Sequence, residues 1–199
     1  MFRYVDRLVI LCTAAMWALV LCSSECYAAP VHMAVAENTL PPDEFIAFCL
    51  RKPQQCAPSD DVQQIKLDND KLQQLIRLNI AVNRAIIPLA DWPGEEHLWR
   101  ENATFGNCVE YALAKRAQLL DLGFSPSALL LAVAIIPNGE LHLVLIVVTD
   151  QGDFALDNLR TNVVLWDKLP YRWMMRSSAK NPLQWQTIIS DNRRTGWAR

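Results

Sequence analysis

Apolar side chains recur every three or four residues in three parts of this chain. Leu72, Leu75 and Ile76 begin the longest of these patterns, which is typical of the buried side of a helix. The third pattern ends at Gly123, and glycine is a common helix terminator. The predicted helices cover about residues 44–50, 62–87 and 107–122.

Beyond the third helix, apolar residues follow one another in short runs separated by turns. The run at 128–136 is rich in Leu, Val and Ile, and the turn after it contains Pro137, Asn138 and Gly139. A meander of antiparallel strands that follows a set of helices predicts an α+β fold. The predicted strands cover residues 128–136, 141–149, 154–159, 171–176 and 184–189.

Two segments show neither pattern. Residues 29–42 have no periodicity, and we predict a flexible start there. Proline, glycine and charged residues mark 88–106 as a loop. Trp92 and Trp99 lie in this loop, where tryptophan side chains either line a cleft or pack over the core.

The first 28 residues have the order of a signal peptide. Arg3 and Arg7 precede an apolar run at 8–22, and the small residues that follow suit a cut after Ala28. The run is shorter than the roughly 20 residues of a membrane-spanning helix, although an uncleaved anchor is the alternative. We therefore predict a periplasmic or secreted protein with one domain over 43–199.

Composition and charge agree with a folded protein. Hydrophobic residues make up 52% of the chain and charged residues 20%, which is typical of globular domains. The formal net charge is −2, and no cluster of Lys and Arg occurs that would neutralise phosphates. Nucleic acid is therefore not an expected partner.

The cysteines divide into two groups. Three of the six lie within the first 28 residues, which leaves Cys49, Cys56 and Cys108. Cys49 and Cys56 are seven positions apart across a short turn and can pair in an oxidising compartment. Cys108 is then the odd thiol, which is either buried and inert or kept free for chemistry.

Cys108, His142 and Asp157 are the candidate catalytic residues. Cys108 follows Asn107 at a helix start, where free N–H groups and a partial positive charge favour the thiolate. His142 interrupts an apolar strand just after a turn. A lone histidine of this kind is more often structural, but here a free thiol precedes it and a carboxylate follows it.

Asp157 lies within an apolar run, where a carboxylate is costly unless it has a partner. If its strand neighbours that of His142, the carboxylate can fix the tautomer of the imidazole. Asn158 is an alternative orienting residue. Asp153 and Asp167 are weaker alternatives because they have the character of turn residues.

Three stretches of the chain resemble the bacterial transglutaminase-like cysteine proteinases, a family of the papain and transglutaminase superfamily. Residues 106–116 are similar to the nucleophile motif, 139–145 to the histidine motif and 149–159 to the aspartate motif. Further similarity is carried by Phe48, Cys49, Cys56, Trp166, Tyr171, Arg172, Trp173 and Ser177.

The resemblance implies a papain-like domain, with a nucleophile helix packed on an antiparallel sheet, that is exported to the periplasm and cleaves peptide bonds. It implies Cys108, His142 and Asp157 as the triad. Asn107, Asn158 and Trp99 are our candidate supporting residues. The best-understood branch of the family clips giant surface adhesins. A membrane receptor that senses a cyclic dinucleotide holds that branch inactive, and the branch needs calcium.

This chain departs from the family at the acidic residues beside the nucleophile. The family reads Asp-Cys-Glu-Asp, whereas this chain has Asn107, Cys108, Val109 and Glu110. Calcium prefers several carboxylate oxygens, and only Asn107 and Glu110 offer oxygen ligands here. We therefore predict weak or absent calcium binding and no required cofactor.

Three functions remain open at the level of sequence. The leading hypothesis is an exported cysteine peptidase that acts on a protein substrate, with a surface adhesin and a membrane receptor as candidate partners. A transglutaminase-type amide transferase would use the same thioester. A catalytically weak binding module would keep the fold without the chemistry.

Overall fold

The computed structural model describes residues 29–89 and 99–189. Within them, three α-helices are formed: α1, Asp43–Arg51; α2, Asn69–Ala85; and α3, Cys108–Asp121. The strands of the described residues are β1, Val35–Thr39; β2, Ile87–Pro88; β3, Phe105–Gly106; β4, Leu129–Ile135; β5, Leu141–Thr149; β6, Gly152–Leu156; β7, Val164–Leu165; β8, Arg172–Ser177; and β9, Trp185–Ile188. Among these residues, no helix has both the length and the apolarity to cross a membrane.

Seven strands form one antiparallel sheet in the order β1-β9-β8-β4-β5-β6-β7, and β2 pairs with β3 in a short parallel ribbon. Strands β4, β5 and β6 are joined by tight turns, so they form the predicted meander. The predicted α+β fold class, with a helix on an antiparallel sheet, is confirmed.

Both faces of the sheet are buried, which explains why β4 and β5 read as continuous apolar runs. Side chains of Leu131, Leu143 and Leu145 belong to the cluster that packs against the helices. Their neighbours Ala132 and Val144 belong to a second cluster on the opposite face. Because successive side chains of a strand alternate between faces, each strand supplies both clusters.

Helix α2 is shorter than the predicted helix over 62–87. It begins at Asn69, and the Asp68 side chain caps it by accepting a bond from the Lys71 N–H. Upstream of the cap, Ile65 and Leu67 are buried, whereas the residue between them is exposed. This alternation belongs to an extended segment, in which Ile65 bridges Thr149 beside the sheet.

The predicted flexible start over 29–42 is wrong for Val35–Thr39, which form β1 at the edge of the sheet and pair with β9. Met33 is also buried. Most side chains of β1 are exposed, so no apolar alternation marks the strand in the sequence. It is held by main-chain bonds to a partner about 150 residues away, and a local pattern cannot reveal such a partner.

The remaining boundaries shift by a few residues. Strand β6 ends at Leu156, so Asp157 follows it instead of lying inside the predicted strand over 154–159. Strand β7 was not predicted. Neither was β2, which covers the junction of the predicted helix and the predicted loop, nor β3 at the end of that loop. The predicted signal peptide and Trp92 lie outside the described residues.

Candidate active site

Cys108 is the first residue of α3 and is half-buried. The helix begins with a capping box, in which the Asn107 Oδ1 accepts a bond from the Val109 N–H and the Glu110 side chain accepts one from the Asn107 N–H. The box fixes the first turn, so the sulfur has a defined position at the positive end of the helix. A Cβ atom at Gly106 would lie 2.5 Å from the Glu110 Cβ, so the box leaves no room there for a side chain.

His142 is the second residue of β5 and is almost completely buried. Its Nε2 lies 2.8 Å from the Asp157 Oδ1, and His142 and Cys108 line the same cleft. The N–H of the next residue, Leu143, also donates to the Cys108 Sγ at 3.4 Å. The structure therefore brings together the three residues that the sequence analysis selected.

Asp157 is buried directly after β6, and both of its carboxylate oxygens have partners. Oδ1 accepts from the Leu159 N–H at 3.0 Å in addition to its contact with His142. Oδ2 accepts from the Tyr171 hydroxyl at 2.5 Å. The Asp157 main-chain carbonyl accepts a bond from the Asn83 side chain. The carboxylate is thus fixed in one orientation.

Burial and hydrogen bonding act against each other on this pair. Burial disfavours the imidazolium, but the bonds to Asp157 and Cys108 outweigh it and raise the pKa of His142 to about 9. Burial also disfavours the carboxylate, yet bonds from His142 and Tyr171 lower the pKa of Asp157 below its ordinary value. The site therefore favours a charged pair at neutral pH.

Lys115 lies on α3, seven residues after Cys108, and is completely buried. Its Nζ donates to the main-chain carbonyl of Leu156, the residue before Asp157. Burial lowers the pKa of Lys115 to about 7, although the nearby Asp157 opposes that shift. Lys115 was not singled out from the sequence, where a charged residue in the middle of an apolar helix side is the signal that could have found it.

A cleft of about 330 Å³ opens at Cys108. Its lining is mostly apolar, and Leu143, Val133 and Met175 lie side by side on three neighbouring strands. Trp99 also lines the cleft and packs against Phe45 with ring centroids 5.5 Å apart. The remaining lining residues are Pro41, Pro42, Glu44, Asn107, Val109, Leu141 and His142.

The alternative orienting residues occupy other positions. Asp153 bonds His32 and the Met33 N–H, and Asp167 forms an ion pair with Lys168 at 3.4 Å. Asn158 follows Asp157 in the chain, but it is Asp157 that contacts His142.

The two candidate calcium ligands, Asn107 and Glu110, both serve the helix cap. Burial also raises the pKa of Glu110, which disfavours the ionised form that a cation needs. Calcium takes six to eight oxygen ligands. In the part of the chain that the structure describes, no group of three or more His, Cys, Asp or Glu residues is arranged to hold a metal ion.

Cys49 and Cys56 form a disulfide, with Cα atoms 5.5 Å apart, which ties the end of α1 to the 3₁₀ helix that follows it. Cys108 is the free cysteine of the described residues.

Comparisons with known proteins agree with this architecture. Two solved structures of LapG from Legionella pneumophila are similar at 17% identity. One covers 77% of this chain and 82% of LapG, with a TM-score of 0.51. The other, calcium-bound, covers 72% of this chain and 77% of LapG, with a TM-score of 0.50. At that identity the likeness shows the fold alone.

No curated protein matches the chain. The family profile described as bacterial transglutaminase-like cysteine proteinase matches residues 35–193, which is most of the sequence. The resemblance that the three motifs predicted is confirmed, and so is the class of enzyme, a cysteine peptidase. The chain therefore belongs to the bacterial transglutaminase-like cysteine proteinases.

Proposed function

We propose that this protein is an exported peptidase that cleaves a protein substrate through Cys108, His142 and Asp157. The observation that carries the proposal is the buried 2.8 Å contact between His142 and Asp157, with Cys108 beside them at a helix start and in the same cleft. A thiol, a base and a group that orients the base are the parts that nucleophilic acyl transfer requires.

In the proposed reaction, the proton of Cys108 rests on His142, and the thiolate attacks the carbonyl carbon of the scissile amide. The Cys108 N–H, at the first position of α3, donates to the oxyanion that develops. His142 then gives its proton to the leaving amine as the C–N bond breaks, which leaves a thioester. His142 next takes a proton from water, and the hydroxide attacks the thioester. The C–S bond breaks, the acid leaves, and the thiolate of Cys108 and the protonated His142 are restored.

A peptide substrate is supported by an open edge of the sheet beside the nucleophile. Strand β5 pairs with β4 along its length, but with β6 only from Leu145 onward. The Ile136 N–H donates to the Glu140 carbonyl, so these two residues form a hydrogen-bonded pair. Hydrogen-bonded and non-bonded pairs alternate along two antiparallel strands. The main-chain N–H and C=O groups of Leu141 and Leu143 therefore face away from β4. An extended peptide that lies along this edge would place its carbonyl near the sulfur.

Export is supported by the signal-like first 28 residues and by the Cys49–Cys56 disulfide, since disulfides persist in oxidising compartments. We propose a periplasmic or secreted location after cleavage at Ala28. A surface adhesin as substrate and a membrane receptor as regulator follow from the family resemblance, and they are part of the same proposal.

We also propose that activity does not depend on calcium, because the side chains of Asn107 and Glu110 are engaged in the helix cap. Cleavage by the purified protein should be equal in excess EGTA and in millimolar calcium. Calorimetry that reveals a micromolar calcium site, or activity that EGTA abolishes, would contradict this part of the proposal.

The central test compares the surface proteins of producing cells that carry the wild type or Cys108→Ala. The wild type should generate protein fragments with new N-termini that the variant does not. Lys66→Ala is the control, because it changes an exposed side chain outside the lining of the cleft, and it should keep the fragments. Identical fragments in wild type and Cys108→Ala would leave the proposed peptidase without support.

Two further measurements separate the alternatives. Incorporation of a fluorescent amine into acceptor proteins would favour the amide transferase. In a binding module, Cys108 would react with iodoacetamide only near the pH of an ordinary thiol, about 8.5, whereas an activated thiol reacts well below it.

A further inference from the structure

We infer that Tyr171 is a positioning residue of the catalytic pair, an inference that rests on the proposed function. Its hydroxyl holds the Asp157 carboxylate in the rotation that receives His142. No sequence motif for a triad requires a tyrosine at this place, and the assignment comes from the contacts of the Asp157 oxygens.

The two oxygens of Asp157 have separate partners. His142 lies 2.8 Å from Oδ1, and the Tyr171 hydroxyl donates to Oδ2 at 2.5 Å. Asp157 is 1% exposed and Tyr171 3% exposed, so water does not compete for either atom. Without the hydroxyl, Oδ2 would be a buried acceptor with no donor, and only the contacts of Oδ1 with His142 and with the Leu159 N–H would oppose a rotation of the carboxylate.

The Tyr171 ring also restricts the position of the His142 imidazole. Its centroid lies 5.8 Å from that of His142, with the ring planes at 85°, which is an edge-to-face contact. Trp173 supports the ring from another side at 5.8 Å. Tyr171 belongs to the apolar cluster on the sheet face opposite to α3, so it approaches the pair from the side away from the nucleophile helix.

Tyr171 acts as a hydrogen-bond donor and not as an acid or base. Burial and the contact with Asp157 raise its pKa far above the physiological range, so the hydroxyl keeps its proton. Two charged groups lie near the pair: Arg160 opposes the rise in the pKa of Tyr171, and Lys115 is close enough for Asp157 to raise its pKa. Neither replaces the hydroxyl at Oδ2.

The test compares two variants, each of which removes one buried tyrosine hydroxyl. Tyr171→Phe removes the donor to Asp157, and Tyr111→Phe removes a bond of 2.7 Å to the Ile86 carbonyl, which is also buried. The pKa of His142 is read by NMR, and the rate of Cys108 alkylation by iodoacetamide is measured from pH 5 to pH 9.

In Tyr171→Phe, the loosened carboxylate should let the pKa of His142 fall by about one unit from its value of about 9. Tyr111→Phe should leave the pKa of His142 within about 0.3 unit of the wild type, even where it lowers stability. A pKa of His142 that is unchanged or higher in Tyr171→Phe, or a change that Tyr111→Phe reproduces, would overturn the inference.

Two additional variants keep the test decisive. Tyr171→Met is a second variant without the hydroxyl, for the case that Tyr171→Phe does not fold, since methionine adapts to irregular core space. In an Asp157→Asn background, Tyr171→Phe should cause no further fall in the pKa of His142, and an additive fall would contradict the inference. A wild type whose thiol reacts only near pH 8.5 would instead refute the proposed function itself.

Discussion

Replacing Asp157 by asparagine measures how strongly the carboxylate holds the proton on His142. The two side chains meet at 2.8 Å in a buried site, where a charge has a large effect on its neighbour. The pKa of His142 is about 9 because the bonds to Asp157 and Cys108 outweigh burial. The ordinary pKa of histidine is about 6.5, so the site stabilises the protonated form of His142 by roughly 3 kcal/mol.

Asparagine keeps the shape of the side chain but removes its charge, and burial continues to disfavour the imidazolium. The pKa of His142 should therefore fall by more than one unit. At pH 8 the protonated fraction should drop from about nine tenths to less than about half. Peptide cleavage should fall by about 10³-fold to 10⁴-fold, the loss seen when a triad carboxylate is neutralised.

The assay is an NMR titration of the histidine ring carbons. Only three histidines occur in the sequence, and His142→Gln assigns the signal. Asp70→Asn is the control, because it neutralises an exposed carboxylate on α2 and keeps the His142–Asp157 bond. A titration midpoint that stays near 9 in Asp157→Asn would refute the reasoning.

The same change should alter the pH dependence of stability. Since the folded pKa of His142 lies above the unfolded value, its stabilising contribution is complete below about pH 6.5 and is lost as the pH rises through about 9. The difference in unfolding free energy between wild type and Asp157→Asn should therefore shrink over that range, as followed by urea titration.

Three other substitutions test the structure around the site. Lys115→Met removes a buried amine whose pKa is lowered to about 7 by burial, whereas the pKa of an unfolded lysine is about 10.4. The unfolding free energy of the wild type should therefore rise relative to that of the variant as the pH increases from about 7 to 10. A constant difference between the two in urea titrations over this range would contradict this. Cys49→Ala and Cys56→Ala each remove the disulfide, so each should lower the unfolding free energy by about 2 kcal/mol relative to the oxidised wild type. Relative to the reduced wild type, each variant should differ little. Gly106→Ala should force the added methyl group against Glu110, disturb the cap of α3 and slow iodoacetamide labelling of the catalytic thiol, whereas labelling at the wild-type rate would show that the cap tolerates the methyl group.

The site could be predicted from the sequence because buried polar residues are costly and therefore informative. Cys108 at a helix start, and His142 and Asp157 in apolar runs, each stood out against their neighbours. The turn after β5 joins it to β6, so the closeness of His142 and Asp157 could be expected from two adjacent strands. Helix α3 was predicted close to its observed bounds, since its start and its terminating glycine are local signals.

The partners of these residues could not be predicted, because they come from distant parts of the chain. Asn83 on α2 and Tyr171 before β8 reach Asp157 only after the sheet has formed. The burial of Lys115 likewise depends on α3 lying against β5, as a charged side chain on a helix is usually solvated.

The sequence by itself determined the fold class, the approximate bounds of α3 and the choice of three candidate site residues, because periodicity and isolated polar residues are local properties. Only the tertiary structure decided that Val35–Thr39 form a strand, that Ile65 joins the sheet instead of α2, and that both oxygens of Asp157 are satisfied. Main-chain pairing and buried hydrogen bonds between distant segments carry no local signature, so they become visible only when the chain is folded.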